Sequence, residues 1–189
     1  MAKRYDQLIE IVRKRQPKTI VEVGVHRAIR AVKMCAAVDG PVHYVGYDVF
    51  DTMGADFQEA ALNGKGEPTE AEARKRLDEL ASRKADFTYE LRVGDTRETL
   101  HGQTVECDLA FIDGDHRVDA ILGDFSAIAA PVVILDDWYL PGPDGSIPDL
   151  TSFGANAIGT VYAGEVDILP KGDVCKHGGI SHLAVVTRD

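Results

Sequence analysis

A chain of 189 residues, 44% of them hydrophobic, can build one α/β domain with a full core and is too short for two ordinary ones. Its 31 Asp and Glu against 21 Lys and Arg leave a formal charge of −10, which repels a polyanion and argues against nucleic acid as a partner. The three widely spaced cysteines, Cys35, Cys107 and Cys175, suggest no disulfide framework. With no signal-like opening stretch and no run near the ~20 apolar residues that span a bilayer, the expectation is a cytoplasmic protein away from membranes.

Leu8, Ile9, Ile11 and Val12 recur at helical spacing between Tyr5 and Arg15, so an amphipathic helix is expected there, ending before Pro17. A strand over Thr19 to Val23 follows, then a helix from Arg27 to Val38 closed by Asp39-Gly40-Pro41, then a strand over Val42 to Tyr47. From Phe50 to Pro68 glycines interrupt short apolar pieces, and the stretch reads as a long loop or broken helix of the kind that forms lids. A charged helix over Thr69 to Lys84, most simply a solvated face, leads into a strand at Phe87 to Val93. Strands at Asp108 to Asp113 and Val132 to Asp136 flank a helix from Arg117 to Ala129.

This alternation predicts an α/β fold, a Rossmann-like doubly wound sheet that is mostly parallel, in a single domain spanning 1–189. Leu150 to Tyr162 is expected to be helical, and Val166 to Leu169 and His182 to Thr187 to be strands. The connection between those two is too short for a crossover helix, so they should close the sheet as an antiparallel hairpin. Cys175 and His177 fall in that connection, too few for a structural zinc site. Trp138 and Tyr139 either wall a pocket or pack in the core.

Each of the five expected parallel strands ends in a carboxylate: Glu22, Asp48, Asp95, Asp113 and the pair Asp136-Asp137. In an open parallel sheet these ends share one edge, where such folds bind ligands. Only Gly24 stands where a dinucleotide fingerprint needs three glycines, so a nucleoside without a pyrophosphate suits the turn better. Asp48, 26 residues after Glu22, lies near the spacing at which an acid reaches ribose hydroxyls. Gly94-Asp95-Thr96 can present a carboxylate to an adenine amino group or cap the following turn. If the strands ending at Asp113 and Asp136-Asp137 are neighbours, their ends lie about 4.8 Å apart, and three such carboxylates call for a hard divalent cation. His116, at the rim of the same crevice, is the candidate general base, and Asp115 the cap of the next helix.

Glu-x-Gly after the first strand, the acid after the second, Gly-Asp after the third, then Phe111-Ile112-Asp113-Gly114-Asp115-His116 and Ile134-Leu135-Asp136-Asp137-Trp138 resemble class I S-adenosylmethionine-dependent methyltransferases. The nearest likeness is to metal-dependent O-methyltransferases of the macrocin O-methyltransferase and cephalosporin-hydroxylase-like kind. The resemblance implies Glu22 and Gly24 on the methionine side of the cofactor, Asp48 on the ribose, and Asp95 with Thr96 near the adenine, beside Asp113. It implies Mg2+ or another divalent cation on Asp113, Asp136 and Asp137, His116 as base, and a small hydroxylated acceptor such as a sugar or natural product. Acceptor recognition would fall to Phe50 to Pro68 and to Trp138 to Pro148, and assembly with further copies of the chain is left open. One residue departs from the pattern: Ala28 stands where the family usually carries a second glycine. A metal-dependent hydrolase using the same acids and a binding module without turnover are the competing readings.

Overall fold

The structure, a computed structural model, describes residues 4–52, 69–175 and 179–188. Helix α1 (Arg4–Arg15) precedes strand β1 (Thr19–Val23), followed by α2 (Ile29–Ala36) and β2 (Val42–Asp48). Next come α3 (Glu70–Ala81), β3 (Phe87–Val93), the single turn α4 (Thr96–Thr99), β4 (Val105–Glu106) and β5 (Leu109–Ile112). Helix α5 (Val118–Ala127), β6 (Ile128–Ala129), β7 (Val132–Leu140), α6 (Ile158–Val161), β8 (Val166–Val174) and β9 (Ile180–Thr187) complete the order.

The main sheet runs β3-β2-β1-β5-β7-β9-β8, with β4 and β6 forming a small separate ladder. Strands β3 through β7 pair in parallel, whereas β9 lies antiparallel to both β7 and β8. All four residues of β5 are buried, as a central strand covered on both faces requires. One core layer packs Leu8, Val12, Met34, Leu77 and Leu80 on the sheet, and the other gathers Ile121, Phe125, Trp138 and Ile158. Trp138 is therefore a core residue.

The helices after α1 are shorter than periodicity suggests. Ala28 is left-handed (φ 55°), so α2 starts at Ile29. Thr69 forms a reciprocal capping box with Glu72 and fixes the start of α3. The expected helix over Leu150 to Tyr162 shrinks to a 3-10 turn at Ala155–Ala157 and α6. Ahead of it, Asp149 accepts hydrogen bonds from the Thr151 amide and hydroxyl and from the Ser152 hydroxyl, which holds a turn in place of a helix. Of the expected lid, Phe50–Thr52 form one 3-10 turn with Phe50 buried; 53–68 lie outside the described residues, as does His177.

Strand β7 does not stop at Asp136. It continues to Leu140 because β9 pairs with it on both sides of a register shift between Leu135 and Trp138. Asp136-Asp137 thus form a bulge inside a strand, with Asp137 at φ 53°.

The strand order reverses between β1 and β5, which places a topological switch point there. At that point Gly24 (φ +88°) lies so close to the neighbouring chain that an added Cβ would meet the Asp113 carbonyl oxygen at 1.9 Å. Gly24→Ala is expected to cost more than the ~1–3 kcal/mol of left-handed strain alone. Gly102→Ala, at φ +76° with nothing within 4 Å, carries only the strain. Urea unfolding of both variants checks this, and equal losses would show that the close approach carries no energy.

Candidate active site

The turn from β1 to α2 has left-handed backbone at Gly24, His26 and Ala28 (φ 88°, 52° and 55°). Asp48, at the end of β2, fastens it: one carboxylate oxygen accepts from the His26 amide at 2.6 Å, and the other from the Phe50 amide at 2.8 Å. A carboxylate offers about four acceptor sites, so lone pairs remain at Asp48 for ligand hydroxyls.

Behind this turn Glu22 is fully buried. Its Oε2 accepts from the Tyr44 hydroxyl at 2.5 Å, while Oε1 has no hydrogen-bond partner among the described residues. Burial pushes the Glu22 carboxyl up to about 7, against the opposing pull of Arg30 and Tyr44. Arg30 Nη2 contacts Asp113 Oδ2 at 2.5 Å, and its Nε lies 3.7 Å from Glu22 Oε1. Burial also raises Asp113 well above the usual carboxylate range, with Arg30 pulling the other way and Asp136 adding to the rise.

The bulge presents Asp136 and Asp137 to different partners. Asp136 accepts from Arg4 Nε at 2.8 Å, from Arg4 Nη2 at 3.2 Å and from the Tyr5 hydroxyl at 2.5 Å. Asp137 meets His116 Nδ1 at 2.8 Å through Oδ2, and its Oδ1 accepts from the Ser181 hydroxyl at 2.8 Å. Burial works against ionising Asp137, yet His116, Ser181 and Arg4 together hold it below the ordinary range. Burial likewise disfavours the His116 imidazolium, but the hydrogen bond and charge of Asp137, reinforced by Asp113 and Asp136, raise His116 to about 9.

Of the acids expected at one mouth, Asp113 and Asp136 meet in one crevice, and Asp137 reaches it through His116. Asp113, His116 and Asp136 line a single narrow crevice together with Gly114, Leu135 and Ala155. His116 precedes α5 instead of sitting in its first turn. Arg117 is the N-cap, without a side-chain cap bond, so Asp115 does not cap the helix; it accepts from the Arg117 amide and pairs with that guanidinium. Asp95 is the N-cap of α4, accepting from the Arg97 amide at 2.9 Å, with Thr96 opening the turn.

The divalent cation expected on Asp113, Asp136 and Asp137 does not fit this arrangement. Their oxygens are engaged by Arg30, Arg4, Tyr5, His116 and Ser181, and among the described residues no group of three or more His, Cys, Asp or Glu is disposed to hold a metal ion. Sequence reasoning missed Arg4, Tyr5, Arg30 and Ser181. It also missed Phe153, half exposed beside His116, whose carbonyl accepts from the Gly154 amide at 3.0 Å.

Residues 21–134, more than half of the chain, match the family described as a methyltransferase domain, and the chain belongs to that family. It is a methyltransferase by that membership. An O-methyltransferase from Bacillus cereus in complex with SAH aligns over 97% of this chain and 80% of its own at 14% identity, with a TM-score of 0.58. The O-methyltransferase TomG from Streptomyces achromogenes, involved in tomaymycin synthesis and solved with SAM, aligns over 98% and 79% at 16% identity and 0.52. The N-terminal domain of EvdMO1, solved in the presence of SAH and D-fucose, aligns over 99% and 84% at 10% identity and 0.62. Likenesses at such identities are likenesses of fold. No curated protein matches the chain in sequence. Among the described residues no helix is long and apolar enough to cross a membrane.

Glu22 has a consequence for stability. Its folded value of about 7 lies above the ordinary 4.5, so the folded chain keeps a proton that the unfolded chain releases, and stability is lost as pH rises from 4.5 to 7. Glu22→Gln cannot titrate. The variant should gain on the wild type across that window by on the order of 3 kcal/mol. Paired denaturant titrations at pH 4.5, 5.5 and 7 measure it, and a constant difference would show that Glu22 is not held protonated.

Proposed function

We propose that the chain transfers a methyl group from S-adenosylmethionine to a hydroxyl oxygen of a small acceptor such as a sugar or natural product. The observation that carries this reading is the His116–Asp137 pair, with His116 lining the crevice that Asp113 and Asp136 also line. Asp137 accepts a hydrogen bond from Nδ1–H and fixes the ring, which leaves Nε2 as the acceptor nitrogen. The cofactor supplies an electrophilic methyl on a sulfonium. As the acceptor oxygen attacks, its proton passes to His116 Nε2, the O–C bond forms, and the S–C electron pair returns to sulfur.

The chain's own residues fit the cofactor piece by piece. Glu22 Oε1, lacking a hydrogen-bond partner, suits the methionine ammonium, and the remaining lone pairs of Asp48 suit the ribose hydroxyls. Asp95 and Thr96, at the end of β3, lie on the adenine side. Glu22, Asp136 and Asp137 are buried with Asp113 beside them, and a cationic ligand favours the ionised form of each. That cation also opposes protonation of His116 and frees the base. Phe153 offers an apolar face for the acceptor beside it. TomG of tomaymycin synthesis and the EvdMO1 domain solved with D-fucose share the fold, in keeping with natural-product and sugar acceptors. The hydrolase reading gains nothing from acids engaged by arginines.

Calorimetric titration with S-adenosylhomocysteine should give saturable binding in wild type and His116→Ala alike. In assays of labelled methyl transfer to a panel of catechols and sugars, His116→Ala should lower turnover by about 10²–10⁴-fold. A wild-type chain that gives no binding heat, or a His116→Ala variant with full turnover, would remove the assignment.

A further inference from the structure

The carboxylates that resemble a metal seat are already answered by cations of the chain. Arg4 comes from the first turn of α1 and spans the bulge, with Nε and Nη2 on the two oxygens of Asp136, Nη2 at 3.6 Å from Asp137 Oδ1, and Nη1 at 3.3 Å from Asp173 on β8. The Tyr5 hydroxyl takes a further place on Asp136. On the far side Arg30 holds Asp113, and the Tyr5 ring separates the two guanidiniums at 4.7 and 4.9 Å. The placement of Arg4 is built in. Gln7, one turn further along, clamps the backbone of Lys171 by donating to its carbonyl at 3.0 Å and accepting from its amide at 2.9 Å. Leu8 and Val12 are wholly buried beneath.

We propose that Arg4 is a resident cation that takes the place a divalent ion would hold between Asp136 and Asp137, so that this chain binds no magnesium, manganese or calcium there. A planar guanidinium satisfies a carboxylate bidentately and keeps its charge in a poorly hydrated site, whereas a divalent ion needs six or more oxygen ligands. Neutralising the arginine should open the seat, because the acids it leaves behind repel each other unless another cation enters.

The test needs neither cofactor nor acceptor, so its failure leaves the methyltransferase reading intact. Wild type, Arg4→Gln and Arg4→Lys are titrated calorimetrically with MnCl2, MgCl2 and CaCl2, and their melting temperatures are compared in EDTA and in 5 mM MnCl2, roughly the range of weak cation sites. Wild type and Arg4→Lys should show no saturable binding and no shift in melting. Arg4→Gln should melt lower in EDTA, bind manganese and recover melting temperature with it. Saturable binding by the wild type that Asp136→Asn removes would overturn the proposal, and so would a folded Arg4→Gln that binds no cation. Should Arg4→Gln not fold, the wild-type and Arg4→Lys titrations decide, since manganese bound by either through Asp136 contradicts a resident guanidinium.

Discussion

Four carboxylates are taken out of water at one edge of this sheet, and the cost of doing so governs the arrangement around them. A buried ion pair is held together by its geometry, and removing either partner leaves a charge without compensation. Glu22 and Asp113 share Arg30, Asp136 takes Arg4 and Tyr5, and Asp137 takes His116 and Ser181. These partners come from four different parts of the chain. The charges therefore tie α1, α2, β9 and the turn before α5 to the strand ends, and the same contacts that stabilise the acids shape the crevice.

The bulge in β7 makes this division workable. Successive residues of a regular strand point to opposite faces, so Asp136 and Asp137 in a flat strand would not both reach the crevice. With an extra residue in the ladder and Asp137 at φ 53°, both carboxylates turn to the same mouth, one toward α1 and the other toward His116. Strand β9 pins the bulge from both sides, pairing at Val132 through Leu135 and again at Trp138 through Leu140. The antiparallel end of the sheet thereby positions the chemistry at its parallel centre.

Much of the frame was legible because it depends on periodicity and turn residues. The strands Thr19–Val23 and Phe87–Val93 fall where alternation and flanking residues place them, and Asp113 and Asp136, on the paired parallel strands β5 and β7, line one crevice. What could not be read was pairing across distance. Arg4 and Tyr5 lie at the start of α1 and Arg30 in the first turn of α2. Nothing local marks a guanidinium whose partner lies 132 positions away. The only available signal was arithmetic: a cluster of acids headed for burial needs cations, and few of the chain's basic residues lie near the strand ends in sequence. The helix over Leu150 to Tyr162 failed for a related reason, since Asp149 side-chain bonds compete with the backbone in a way that apolar spacing does not record.

Ala28, where the resemblance leads one to expect glycine, holds left-handed backbone all the same. The turn between β1 and α2 needs left-handed backbone at three alternate positions, and only Gly24 adopts it without cost. At His26 and Ala28 each residue carries strain of about 1–2 kcal/mol. The carboxylate of Asp48 offsets this by accepting the His26 amide at 2.6 Å, and the Ala28 amide closes the turn on the Val25 carbonyl at 2.9 Å. Glycine would reach the same conformation through freedom, whereas here a charged hydrogen bond enforces it. A turn held this way ties the end of β2 to the loop that follows β1. The alanine therefore leaves the turn after Gly24 closed, because Asp48 braces it.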